Sequence, residues 1–297
     1  YWNFGYHYVS FSLYPPFFFV VTTALFRLLS LFGTPSIYWS FFAAFLLSYV
    51  FAFTLTWKIS KKSSLAYLLA AGNLFALGLL VLIGFNTKIF AFNLCFPATV
   101  YLLEVKGNIE LSKRALAGFA LLLPALFASH FFIFVIFSIF YLSVIVLNSK
   151  TRVRDMLPFA FVPVLTLPYF ISFLSSLGSA ISTTEVPPSL IGLSLNFYTV
   201  IFILFVMLSI TVREKALAPL ALIDGVSALN LNALFPVLTN LEMHAGALFF
   251  LGIICYYLVN YDFSQMIPLR LNVPRRLTKE NTLFALLFAV LALNFFY

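Results

Sequence analysis

The residues of this chain that are best suited to acid–base or phosphate chemistry are few and widely spaced. The three histidines are His7, His130 and His244, and Glu242 stands two positions before the last of them. Near neutral pH a histidine supplies either a hydrogen-bond donor or a positive charge. A carboxylate such as Glu242 can accept a proton from a hydroxyl group, and Lys88 offers a cation to a phosphate. No Cys/His spacing typical of a metal site accompanies them, so we predict no cofactor and leave a divalent metal open.

Long apolar segments must position these residues. Hydrophobic residues make up 63% of the chain and charged residues 9%, and the mean hydropathy is +1.07. An apolar run of ~20 residues crosses a ~30 Å hydrocarbon core as a helix. We therefore predict an all-α, polytopic membrane bundle of about ten transmembrane helices. The candidate spans are 37–57, 64–85, 88–105, 115–130, 131–149, 157–177, 195–212, 217–240, 243–260 and 281–297.

The positive charge of the chain is concentrated in the connections between these spans. If each span crosses once, fifteen of the seventeen Lys and Arg residues fall on one side, namely Lys58, Lys61, Lys62, Lys106, Lys113, Arg114, Lys150, Arg152, Arg154, Arg213, Lys215, Arg270, Arg275, Arg276 and Lys279. Such an excess marks cytoplasmic loops. The histidines, Lys88 and Glu242 are then expected on the extracytoplasmic face. The charge is a topology signal, and we predict no nucleic-acid partner.

The first sixteen residues differ from the rest, because they are aromatic and polar and end in Tyr14-Pro15-Pro16. Proline has no N–H to donate inside a helix but suits the first helical turn. We therefore predict a loop over residues 1–14 and a helix that begins at Pro16.

The helix that follows, Pro16–Phe32, is predicted to lie along the outer membrane face, with a full span as the alternative. This interpretation gives an extracytoplasmic loop and interfacial helix over residues 1–33 and one transmembrane domain over 34–297. The chain does not begin with Met, and we expect it to be a fragment of a longer protein at both ends.

Each candidate residue also has a plain structural explanation. Aromatic residues such as Trp2 and Tyr14 often anchor a chain at the membrane interface. Lys88 can extend its amine from the end of a span toward the headgroups. Glu242 and His244 can cap the start of the span at 243–260.

Several short motifs resemble the GT-C superfamily of membrane glycosyltransferases, including multispan proteins labelled as related to pyruvoyl-tetrahydropterin synthase. Trp2-Asn-Phe-Gly5 and Tyr14-Pro15-Pro16, followed by an apolar helix, Leu31-Phe-Gly33 and a span ending in Trp57-Lys58, are similar to the start of that superfamily's membrane domain. The Ser129-His130 step is similar to a helix break at which relatives often place a basic residue facing the lipid phosphate. The segment from Leu234 to His244 resembles a later outer hairpin, although this chain has Glu242-Met-His244 where relatives often have Arg.

The resemblance implies transfer of a sugar from a polyprenyl-phosphate donor to an acceptor on the extracytoplasmic face. It implies a catalytic acidic residue in a first outer loop, which we expect upstream of Tyr1. The substrate-binding candidates are then His130, His244, Glu242, Lys88, Trp2 and Tyr14. The partners implied are the lipid-linked sugar, an acceptor and membrane lipids.

Two other functions compete with a transferase. A transporter or flippase for a lipid-linked substrate requires polar residues along a path through several spans, and Asp224 is an acid inside a predicted span. Asp224 has an equally simple explanation in a packing network with Ser227 and Asn230. A non-catalytic assembly subunit with the same fold is the third possibility.

Overall fold

The computed structural model describes residues 16–33, 37–80, 86–105, 111–147, 153–171, 197–228 and 243–261, and within them no strand occurs. The all-α prediction is therefore confirmed for this part of the chain. The helices are α1 (Pro16–Ser30), α2 (Ile37–Ile59), α3 (Lys61–Leu80), α4 (Asn86–Glu104), α5 (Lys113–Phe127), α6 (Phe131–Leu147), α7 (Leu157–Leu165), α8 (Phe197–Val212), α9 (Ala218–Ala228) and α10 (Met243–Asn260). Two 3₁₀ turns, Val153–Met156 and Lys215–Leu217, precede α7 and α9.

The helix bounds follow the apolar pattern closely. Helix α1 begins at Pro16, as its proline predicts. At the start of α5, the Ser112 hydroxyl accepts a hydrogen bond from the Ala115 N–H at 3.1 Å and caps the helix. The predicted span 281–297 and the second half of 217–240 lie outside the described residues.

The helix of the predicted span 157–177 is interrupted at one residue of its described part. Helix α7 ends at Leu165, Thr166 lies in a turn, and helical structure resumes over 167–171. Pro168 has no N–H to donate to the carbonyl four residues earlier, and its ring disfavours helical geometry at the residue before it. The Thr166 hydroxyl donates to the Val162 carbonyl at 2.6 Å and satisfies an acceptor at the break.

Polar contacts bring three helix ends together at one end of the bundle, which we call the Ser63 end. The Ser63 hydroxyl, at the start of α3, donates to a Glu104 carboxylate oxygen at 3.2 Å at the end of α4. The Asn260 side-chain amide, in the last residue of α10, donates to the Ser63 hydroxyl at 3.0 Å. Helix α3 therefore runs opposite to α4 and α10.

The starts of α4, α6 and α10 lie at the opposite end, which we call the His130 end. Helix α10 runs in the same direction as α4, because both helices end at Ser63. Phe17 contacts Phe90 and the Ala128 carbonyl, which places the starts of α4 and α6 at the same end.

Phe249 of α10 also packs near Phe137 and Phe140 of α6, at centroid distances of 6.4 and 6.0 Å. Helix α10 packs closely on α4 through Gly252, whose missing side chain leaves room for the ring of Phe92. That each predicted span crosses a membrane once stays a prediction.

Helix α2 buries small residues and exposes large ones. Its buried positions recur at every fourth residue, namely Ser40, Ala44, Ser48, Ala52 and Thr56. The residues Tyr38, Trp39, Phe42, Leu46, Leu47, Val50 and Phe51 are exposed. A helix in the core of a water-soluble domain shows the reverse pattern.

One helix in the described part of the chain, over Tyr38–Ile59, is long and apolar enough to cross a membrane. Shorter apolar helices cover Pro16–Ser30, Phe131–Leu147, Ile203–Val212 and Leu248–Asn260. Large apolar side chains are also exposed on α7 and α8, including Leu157, Val164, Ile203, Met207 and Ile210.

Candidate functional site

His130 lies in the tight turn between α5 and α6, where the sequence predicts a helix break. Its backbone N–H donates to the Leu126 carbonyl at 2.8 Å, and its carbonyl accepts from the Phe134 N–H at 3.0 Å. The preceding Ser129 hydroxyl donates to the Ala125 carbonyl at 2.6 Å. These bonds satisfy backbone groups at the end of one helix and the start of the next. The His130 side chain is only 6% exposed, so the turn holds a histidine inside the protein.

The first turn of α1 is joined to this same turn. The Phe17 N–H donates to the Ala128 carbonyl at 2.8 Å, two residues before His130. Pro16 and Phe17 open α1, and an N–H in a first helical turn has no acceptor within its own helix. The bond places the end of the Pro-Pro segment beside the histidine turn.

Lys88 lies in the first turn of α4, at the same end of the bundle. Its side chain is 8% exposed, which is low for a lysine. Two residues later, Phe90 packs against the rings of Phe17 and Phe18 at centroid distances of 6.0 and 5.3 Å. The start of α1 therefore contacts both the α5–α6 turn and the α4 turn that follows Lys88.

The first turn of α1 contacts the first part of α2. Phe18, in the first turn of α1, packs between Phe41 and Phe45, at centroid distances of 5.7 and 5.6 Å. In a simple antiparallel hairpin the first turn of α1 would instead lie beside the later part of α2. The position of α1 relative to a membrane stays a prediction.

Of the remaining predicted site residues, the structure describes only His244. His244 is the second residue of α10, and the direction of that helix places its backbone at the His130 end. Glu242, Trp2, Tyr14 and His7 lie outside the described residues.

The carboxylates with described side chains lie at one of the two ends of the bundle. Three carboxylates with described side chains, those of Glu104, Asp155 and Glu214, belong to the Ser63 end or to connections that face it. At the His130 end, Lys88 and His130 provide two buried basic residues. Because charges interact strongly where water is excluded, this end is suited to an anionic group. No cluster of three or more His, Cys, Asp or Glu that could hold a metal occurs among the described residues.

Sequence reasoning missed a buried polar network that links α2, α3 and α4. The Tyr67 hydroxyl donates to the Asn93 side-chain carbonyl at 3.0 Å, and the Asn93 amide donates to the Ser48 hydroxyl at 2.9 Å. A polar residue inside each of three apolar spans was the available signal. Cys95 and Cys255 are buried free thiols, as expected of small apolar residues.

Comparison with known proteins gives no relative for this chain. No protein-family model matches it, no curated protein matches it, and no solved structure matches it.

Proposed function

We propose that this chain is a polytopic membrane protein whose helices beyond α2 also cross the bilayer. The large apolar side chains exposed on α2, α7 and α8 support this proposal, because water-soluble proteins do not expose apolar patches of that extent. The small residues buried along α2 are those that let membrane helices approach closely.

Helix α2 also carries residues suited to both membrane interfaces. Trp39, near its start, is 63% exposed, and Trp57, near its end, is 47% exposed and precedes Lys58. At a rise of ~1.5 Å per residue the two tryptophans are about 27 Å apart along the axis. That separation is close to the ~30 Å hydrocarbon thickness between interfacial aromatic belts.

Within this bundle we propose a glycosyltransferase of GT-C type that uses a polyprenyl-phosphate-linked sugar. The observation that carries the proposal is the convergence of the α1 start, the α4 start with Lys88 and the α5–α6 turn with His130. An apolar wall with two buried basic groups suits a ligand that joins a phosphate to an isoprenoid chain. The extracytoplasmic location of this end is part of the proposal and follows from the basic residues at the other end.

Each basic residue has a defined role in the proposed reaction. When the bond between the sugar and the phosphate oxygen breaks, negative charge increases on the leaving polyprenyl phosphate. Lys88 and His130 stabilise that charge because they are already positioned in a water-poor site. The acceptor hydroxyl must lose a proton to a general base. Glu104, Asp155 and Glu214 are too far from Lys88 and His130 to act as that base, because they lie at the Ser63 end.

A transporter is supported less well by the described residues. Three polar side chains in the interior of α2, α3 and α4, those of Ser48, Tyr67 and Asn93, bond to one another in one network. A transport path requires polar groups that exchange partners with a substrate. A satisfied network is typical of helix packing.

A transfer assay tests the proposed function. Membranes that contain the full chain are supplied with a panel of polyprenyl-phosphate monosaccharides, and sugar transfer is measured by release of polyprenyl phosphate. We expect Lys88→Gln and His130→Ala each to lower the rate by ~10²-fold or more, the scale of one lost donor at developing charge.

The matched control is Lys61→Gln, which removes an exposed cation at the Ser63 end. It should retain the wild-type rate within about two-fold, as expected of a solvated surface charge. Full transfer by both Lys88→Gln and His130→Ala, in folded protein at wild-type abundance, would overturn the proposal.

A further inference from the structure

The starts of α5 and α7 lie side by side at the Ser63 end. The Arg154 guanidinium, just before α7, donates through Nη2 to the Leu111 carbonyl at 3.3 Å, just before α5. Past the far end of α7, Tyr169 packs on Phe127 in the last turn of α5, with the ring centroids 5.4 Å apart. The two helices therefore run in parallel, and their first turns face the same side of the molecule.

Three cations lie at the starts of these two helices. Lys113 and Arg114 are exposed in the first turn of α5, and the Arg154 side chain, in the turn before α7, is 33% exposed. The buried Asp155 forms an ion pair with Arg154, at 3.6 Å between Asp155 Oδ1 and Arg154 Nε, so the described charges here sum to a positive value. The Tyr141 hydroxyl, from α6, donates to the Asp155 backbone carbonyl at 2.8 Å and holds that residue against the core. The exposed surface is thus positive.

An exposed apolar stripe follows Arg154 along α7. Leu157, Phe161 and Val164 are exposed, and their spacing places them on one face of the helix. Val153, in the turn before the helix, is also exposed. Residues 156–171 contain no charged side chain. From Leu157 to Val164 the stripe extends about 10 Å at ~1.5 Å per residue. Half of a ~30 Å hydrocarbon core is about 15 Å, so the helical part of the stripe covers about two thirds of the depth of one leaflet.

We propose that the starts of α5 and α7 bind an anionic diacyl phospholipid of the leaflet at the Ser63 end. The phosphate group interacts with Lys113, Arg114 and Arg154, and an acyl chain lies along the Val153–Val164 stripe. Net negative charge on the headgroup is what the three cations recognise, so a zwitterionic lipid binds more weakly. The inference rests on the membrane-spanning part of the proposed function and does not depend on glycosyl transfer.

Lipid retention in native mass spectrometry tests the proposal. The full chain is reconstituted in nanodiscs of phosphatidylcholine with phosphatidylglycerol, released, and the bound lipids are counted. We expect wild type to retain phosphatidylglycerol in preference to phosphatidylcholine. Lys113→Gln/Arg114→Gln should reduce that preference roughly five-fold for each cation removed, the scale of one basic residue near an anionic surface.

The matched control is Arg27→Gln, which removes an exposed cation in α1 and should leave the preference unchanged. Glycerol phosphate, the soluble headgroup without acyl chains, should not displace the retained lipid. Unchanged preference in the Lys113/Arg114 variant, an equal loss in Arg27→Gln, or full displacement by glycerol phosphate would each overturn the proposal. Loss of sugar transfer with lipid retention intact would contradict the proposed transferase alone.

Discussion

Gly252 shows how closely a single position controls the packing of this bundle. A Cβ added there would lie 2.9 Å from Phe92 Cε2 and 3.1 Å from Phe96 Cδ2, both ring atoms of buried side chains. We expect Gly252→Ala to lower the free energy of unfolding by about 1–3 kcal/mol, the scale of an overpacked core. Thermal or denaturant unfolding in detergent micelles measures this change.

Gly118 provides the control for that substitution. It lies on the exposed side of α5 with nothing within 4 Å of an added Cβ, so Gly118→Ala should be neutral or slightly stabilising. Equal stability of the two variants would contradict the close packing of α10 on α4.

The network of Ser48, Asn93 and Tyr67 provides a second prediction at the scale of single residues. Because Tyr67 donates to Asn93, the effects of Tyr67→Phe and Asn93→Ala on the free energy of unfolding should not add. A double-mutant cycle should give a coupling of about 0.6–1.7 kcal/mol, the range found for hydrogen bonds between membrane helices. Strict additivity would show that this bond contributes nothing to stability.

For single residues, the sequence predicts the position along a helix better than it predicts which other residue is contacted. His130 was predicted at a helix break and Lys88 at the start of a span, because apolar runs and their interruptions mark helix ends. Their burial could not be predicted, since it depends on how separate helices pack together. The Tyr67–Asn93 bond joins residues of different helices, and no local pattern specifies such a pair.

Among the helices, α2 permits the sharpest test of membrane placement. We expect Trp39 and Trp57 to lie at opposite interfaces, because both are exposed and lie near opposite ends of one apolar helix. Single-tryptophan variants with Phe at the other two tryptophan positions can be reconstituted with lipids brominated at different depths. Fluorescence quenching should be strongest near the headgroups for both.

Strongest quenching of either tryptophan at the bilayer centre would contradict this placement. Acrylamide added to one side of sealed vesicles should quench only one of the two residues. Quenching of both from the same side would mean that α2 does not cross.

The positions of the helices could be predicted from hydropathy and from the prolines. The interruption of a helix could not. The pattern over 157–177 is uniformly apolar, so it predicted one span, whereas Pro168 and Thr166 interrupt the helix. The contact of the first turn of α1 with the first part of α2 could not be predicted from the sequence either. It depends on Phe18 fitting between Phe41 and Phe45, which is a property of the packed surfaces and not of either segment.

At the scale of the whole molecule, the described charged and basic side chains are distributed differently between the two ends of the bundle. The Ser63 end collects exposed cations and the described carboxylates, and the His130 end holds two buried basic groups beside the start of α1. The charge pattern of the sequence predicted this division because basic residues recur after every second span. The convergence of three separate segments at the His130 end required the structure.

Photo-crosslinking of a lipid phosphate tests the central proposal most directly. The full chain in membranes is exposed to a polyprenyl phosphate with a photoreactive group next to the phosphate, and the labelled peptides are identified by mass spectrometry. We expect labelling of the α1 start, the first turn of α4 or the Ser129-His130 turn, and competition by unmodified polyprenyl phosphate. Labelling confined to the Ser63 end, or labelling that an excess of unmodified polyprenyl phosphate does not reduce, would contradict a lipid-phosphate site at Lys88 and His130.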